Sequence, residues 1–125
     1  MSTRLLAIAT LVCVGLAACS SGSAKFDVPG TPVRTDNVDM PKSLKYAPAV
    51  IEVSAGTTVT WTNHDTFPHT VKLLDGSGTN KQVAIGASTS ITFAHPGTVL
   101  YLCSIHPQMH GKVIVTQPIV PVQSS

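Results

Sequence analysis

The chain has 125 residues, a length suited to one domain. Eight Lys or Arg stand against six Asp or Glu, a formal net charge of +2, and only 11% of residues are charged. With no run of like charges, the sequence lacks the electrostatic footprint of a nucleic-acid binder, so no nucleic-acid partner is expected, and the totals define no acidic or basic docking surface.

In chain order, the first feature is Arg4 followed by an apolar run from Leu5 to Ala18, broken only by Thr10 and Gly15. A charged start and a short apolar stretch make the pattern of an export signal. The run is shorter than the roughly 20 residues that cross a bilayer as a stable helix. Leu16-Ala17-Ala18-Cys19 then resembles the lipobox of bacterial lipoproteins, in which the Cys becomes the first mature residue and is acylated. This predicts a signal peptide over 1–18 and lipidation at Cys19. A competing cut after Gly22-Ser23-Ala24 would release a soluble protein; the lipobox, directly behind the apolar run, is preferred. Several acyl chains give stable anchoring where one alone is marginal. The expected location is the cell envelope, membrane-anchored and facing the periplasm or the exterior.

Residues 19–36 read as the lipidated Cys and a flexible tether, with Ser20 to Ser23 small and polar and with Pro29, Gly30 and Pro32 breaking any periodicity. From Cys19 onward seven Lys or Arg face six Asp or Glu, a net charge of 7 − 6 = +1.

Over 37–117 the dominant signal is period-two alternation, with little helical periodicity. Ile51 and Val53 share a face before the turn Ser54-Ala55-Gly56. Val59 and Trp61 alternate with Thr58, Thr60 and Thr62, the pattern of a strand with one buried face. Val71 and Leu73 follow His69, and Asp75-Gly76-Ser77-Gly78 makes a turn. Ile91 and Phe93 alternate before Pro96-Gly97, Val99 to Cys103 is an apolar run, and Val113 to Val115 is a short last strand. Such a series of short strands predicts an all-β domain, a sandwich or small barrel. Pro118, Pro121 and Gln123-Ser124-Ser125 mark 118–125 as an irregular tail.

With Cys13 inside the signal and Cys19 lipidated, Cys103 has no partner for an intrachain disulfide. A lone thiol in an exported protein calls for a reason. Burial as a small hydrophobe is one; a metal-bound thiolate is another. Tyr101-Leu102-Cys103-Ser104-Ile105-His106-Pro107-Gln108-Met109 sets a thiolate, an imidazole and a thioether three residues apart in one short loop. With a second imidazole, a trigonal His₂Cys set and a weak axial Met suit blue-copper electron transfer. His69, between the strand of Trp61 and the next, is the candidate. The expected ligands are His69, Cys103, His106 and Met109, around one mononuclear type 1 copper cycling between Cu(I) and Cu(II). Zinc gains little from a thioether. Backbone amides of the His69 loop are expected to contact the sulfur and tune the potential. His64, His95 and His110 receive no role; Trp61 is core.

Three blocks in order, Tyr46-Ala47-Pro48 before Ile51-Glu52-Val53 and Gly56, then Val59-Thr60-Trp61-Thr62-Asn63 leading to Pro68-His69, then Tyr101-Leu102-Cys103 with His106 and Met109, resemble the small cupredoxins of the plastocyanin, pseudoazurin and amicyanin group. The two-residue gap between His106 and Met109 is the short, amicyanin-like loop. The resemblance implies a Greek-key β-sandwich with copper at one end, and His106 as the electron's port through an apolar patch. One departure stands out. Many relatives place Asn directly after the first His ligand, where it ties the ligand loops together; this chain has Thr70, a hydroxyl in that place.

An electron carrier and a copper-handling protein that buffers, stores or delivers the ion both follow from such a site. The closed Cys, His, His, Met set favours the carrier, since delivery sites use open Met- or His-rich ligands and only three Met occur here. No enzyme is expected. A Cys nucleophile with a His base lacks an orienting group, and a multicopper enzyme needs further His clusters. A monomer with redox protein partners is the expected assembly.

Overall fold

The computed structural model describes residues 26–118 and 120–123. Cys19 and the apolar leader lie outside them. Nine strands follow one another: β1 (Val33–Arg34), β2 (Asn37–Met40), β3 (Val50–Ser54), β4 (Thr57–Asn63), β5 (His69–Leu73), β6 (Asn80–Val83), β7 (Ser88–Phe93), β8 (Gly97–Leu102) and β9 (His110–Thr116). They build two sheets, one ordered β1-β3-β9-β8-β5-β6 and one ordered β2-β4-β7. Among the described residues there is no helix. The domain is an all-β sandwich of these two sheets.

The alternation dictates the packing. In β4, Val59, Trp61 and Asn63 are buried while Thr58, Thr60 and Thr62 point outward. Those threonines meet the hydroxyls of β7 across the strands, Thr58–Thr92 at 2.7 Å and both Thr60–Ser90 and Thr62–Ser88 at 2.9 Å. Such pairs are the unit of sheet stabilisation. In β9, Gly111, Val113 and Val115 turn inward. The core thus joins Trp61, Val59 and Met40 of the small sheet to Ile51, Val71, Tyr101 and Val113 of the large one. Each aliphatic residue buried so fully contributes about 1.5–3 kcal/mol relative to exposure.

Gly111 decides how tightly β8 and β9 meet. It pairs with Tyr101, and a Cβ at Gly111 would lie 2.0 Å from Cζ of the Tyr101 ring. Only hydrogen fits there. Tyr101 is therefore laid across the strand pair, edge-on to Trp61 at 5.4 Å and to Tyr46 at 4.7 Å.

The stretch 26–36, read from its composition as tether, is instead part of the domain. β1 pairs parallel to β3, with Val33 opposite Ile51 and Arg34 opposite Glu52, and Val28 is buried. The polar edge strand β6 also escapes the alternation signal, whereas β2, not singled out above, does alternate, with Val38 and Met40 buried. β1 is two residues long and exposed, and β6 has only Val83 buried, so neither carries an apolar periodicity of its own. Residues 118 and 120–123 form no strand.

Candidate metal centre

Strand ends bring the expected ligands to one end of the sandwich. His69 opens β5, Cys103 directly follows β8, and Met109 directly precedes β9. β5 and β8 are antiparallel neighbours, with Lys72 opposite Leu102, so the His69 and Cys103 segments lie side by side. The loop from Cys103 to Met109 is closed by its own backbone. Cys103 N–H donates to the Met109 carbonyl at 3.1 Å, and Met109 N–H to that of His106 at 2.9 Å. His69, Cys103 and Met109 are buried; His106 is partly exposed.

The donor atoms of His69, Cys103 and His106 all lie within 4.8 Å of one another. The two Nδ1 atoms are 3.1 Å apart, and Cys103 Sγ is 3.9 Å from that of His69 and 3.8 Å from that of His106. A trigonal ion with bonds of about 2.0 Å to imidazole and about 2.3 Å to thiolate needs donors roughly 3.5 Å (N to N) and roughly 3.7 Å (N to S) apart. The triangle fits. Met109 belongs to the same buried cluster as Cys103 and offers a thioether on a loop closed against that residue.

Asp65, a residue the sequence did not single out, orients the first imidazole. His69 Nε2–H donates to Asp65 Oδ2 at 3.0 Å, both side chains being buried. This fixes the tautomer and leaves Nδ1 bare toward Cys103. Burial opposes ionisation of Asp65, but hydrogen bonds from the Thr66 backbone N–H and from His69 outweigh it and hold the carboxyl below the ordinary carboxylate range. Asn63 shapes the loop behind it. Its side-chain amide donates to the Phe67 and Val83 carbonyls, and its oxygen accepts from Asp65 N–H. An acid four residues before a His in an irregular loop has no periodicity that marks it; only the folded loop does.

The amide expected near the sulfur is that of Thr70, whose backbone N–H points at Cys103 Sγ at 3.3 Å. Its hydroxyl also supplies the tie between ligand loops. Ser104 N–H donates to Thr70 Oγ1 at 2.7 Å, and the Ser104 hydroxyl lies 2.9 Å from it. Tyr46 steadies the same residue from below, its hydroxyl donating to the Thr70 carbonyl at 2.6 Å. Burial, and then the nearness of Cys103, push the Tyr46 phenol far above its ordinary value, so it acts as a fixed donor.

The remaining histidines stand apart from the triangle. His64 contacts Asp39 at the surface, and His95 is exposed in the turn before β8. His110 opens β9 and carries the Phe26 ring at 4.6 Å. Beside the partly exposed His106, the apolar Phe67 and the neighbouring Ile105 reach solvent. The Phe67 ring sits edge-on to His106 at 6.0 Å.

A family described as the cupredoxin-like domain matches residues 7–115. The chain belongs to the cupredoxins. It is 34% identical to amicyanin-alpha of Methylorubrum extorquens, over 86% of this chain and 93% of that one. It is 38% identical to the amicyanin of Paracoccus denitrificans, over 62% of this chain and 63% of that one. Among solved structures, a purple cupredoxin from Nitrosopumilus maritimus superposes with a TM-score of 0.60 at 31% identity, covering 64% of this chain and 98% of that chain. A Cu(I) form of an amicyanin variant gives a TM-score of 0.60 at 32% identity, covering 72% of this cupredoxin and 87% of the variant. Cupredoxins of this group bind one type 1 copper ion, the ion whose ligand spacing the triangle matches.

Proposed function

We propose that this cupredoxin is a one-electron carrier at the cell envelope, with His69, Cys103, His106 and Met109 as the ligands of its single copper and Cys19 as its lipid anchor. Its amicyanin relatives support the carrier reading. The observation that carries it is the asymmetry of the triangle. Cys103 and His69 are fully buried, whereas His106 is partly exposed among apolar side chains. An ion held this way is closed to chelators and substrates yet one imidazole from the surface, which serves electron exchange rather than ion delivery.

Copper in such a set supplies a centre that takes and gives one electron without gaining or losing ligands. The chain's own residues keep it so. Asp65 holds the His69 ring in one tautomer and orientation. Thr70 N–H offsets charge on the Cys103 sulfur, and the Thr70–Ser104 bonds stop the two loops from parting. His106, wedged beside Phe67, is the route by which the electron leaves for a redox protein partner. Export rests on Arg4 and the apolar run behind it, and the anchor on the four residues ending at Cys19. The protein is read as a monomer, with no enzymatic step of its own.

The visible spectrum of the copper-loaded protein, with and without reductant, tests this. An intense blue band that bleaches and returns over one electron is expected, and Cys103→Ser should abolish it. A colourless Cu(II) form, or rapid loss of copper to weak chelators, would favour copper handling.

A further inference from the structure

We infer that the N-terminal strap ties the copper end of the domain, rather than its far end, to the membrane, so that the redox partner is a membrane-embedded protein with its electron port at the bilayer surface. This rests on the reading of Cys19 as the anchor.

The first support is where the incoming chain meets the domain. The Phe26 ring covers His110, the residue directly after Met109. Asp27 Oδ1 accepts from Lys112 Nζ at 2.9 Å, and Val28 is buried. The strap then runs along β3 through Gly30, packed on Val50, to Val33 opposite Ile51 and Arg34 opposite Glu52. Since Val50 pairs with Lys112 and Ser54 with Thr116, this path leads away from the ligand loops. The chain therefore enters at the copper end.

The second support is reach. Seven residue steps separate Cys19 from Phe26, and a fully extended chain spans at most about 3.6 Å per step, roughly 25 Å in all. A domain of this size has a radius of gyration near 12 Å and is about 30 Å across. A leash shorter than the domain, attached at its copper end, keeps that end near the lipid. The third support is charge. With a net charge near +1 from Cys19 onward (7 − 6), the domain has little field to steer a soluble partner. Confinement beside a partner in the same membrane supplies the encounter instead. The exposed Phe67 and Ile105 beside His106 then form the face such a partner meets.

The test uses the full-length acylated holoprotein, in vesicles of phosphatidylcholine and phosphatidylglycerol with some nitroxide-labelled headgroups, and separately with washed membranes from the source cells. A second protein carries 30 Gly/Ser residues inserted between Ser23 and Ala24, outside the domain. The native tether should let Cu(II) speed nitroxide relaxation, and washed membranes should change its copper oxidation state. Lengthening the leash from 7 to 37 steps should slow that exchange about tenfold, as effective concentration falls with the −3/2 power of length, and should remove most of the relaxation effect. An acylated protein that exchanges electrons equally fast with either tether, or only with the soluble fraction, would overturn the inference alone. Mass spectrometry showing no acyl chain on Cys19 would overturn both it and the anchor.

Discussion

The Thr70 hydroxyl accepts a hydrogen bond from Ser104 N–H at 2.7 Å, joining the loop that carries His69 to the loop that carries Cys103 and His106. Where many relatives use Asn, one β-branched hydroxyl holds both loops and touches the sulfur. Thr70→Val keeps the shape and removes the acceptor, leaving Ser104 N–H without its partner. The net cost should be about 1 kcal/mol, read as a lower urea midpoint of the copper protein. Electron self-exchange should also slow as the loops gain freedom. Thr70→Ser should retain both properties; equal losses in the two variants would point to packing by the methyl group instead.

Asp65 accepts from His69 Nε2–H through an anionic oxygen. The negative charge makes the imidazole a stronger donor, which benefits Cu(II) more than Cu(I). Asp65→Asn keeps the size and loses the charge, so the reduction potential should rise. A tenfold loss of Cu(II) affinity unmatched by Cu(I) corresponds to about 59 mV for one electron. Potentiometry of the two proteins checks this, and an unchanged or lower potential would show that Asp65 serves only the loop.

These two residues also show where the sequence stopped being informative. Cys103, His106 and Met109 were legible because a single loop carries them and their spacing is local. His69 was legible through Pro68 and the strand before it. Asp65 and the Thr70–Ser104 bond depend on how two loops far apart in sequence face each other, which local spacing does not encode. The same holds for the fold. The alternation of β4 (Thr57–Asn63) announces its buried face, but β1 (Val33–Arg34) is a strand only because β3 lies beside it. Proline and glycine around it read as tether, and the parallel pairing that overrides them is non-local.

Gly111 faces the Tyr101 ring with room for hydrogen alone. Tyr101 is fully buried between Tyr46 and Trp61, so it has no space into which to retreat. Gly111→Ala should force β8 and β9 apart and destabilise the fold by about 1–3 kcal/mol, the usual cost of overpacking. Because Cys103 lies two residues beyond Tyr101 and Met109 two before Gly111, the copper spectrum should shift as well. Denaturant unfolding followed by circular dichroism, with the visible spectrum alongside, measures both effects.

The strap should loosen in acid. The hydrogen bond from Lys112, aided by its charge, holds the Asp27 carboxyl below the ordinary value of 3.8. A group whose pKa is depressed on folding adds stability that is present above its unfolded value and lost as pH falls through the folded one. The contact between strap and β9 should therefore persist through neutral and mildly acidic conditions and weaken only below the usual Asp range. Carboxyl NMR of Asp27 should show titration below 3.8, and Lys112→Ala should return it toward that value. The same variant should expose the strap near Phe26 to protease at neutral pH while leaving the blue band in place. A titration unmoved by Lys112→Ala would place the cause in the Val28 backbone N–H that also reaches Asp27, and the strap would then be held chiefly by Val28 and the Phe26–His110 stack.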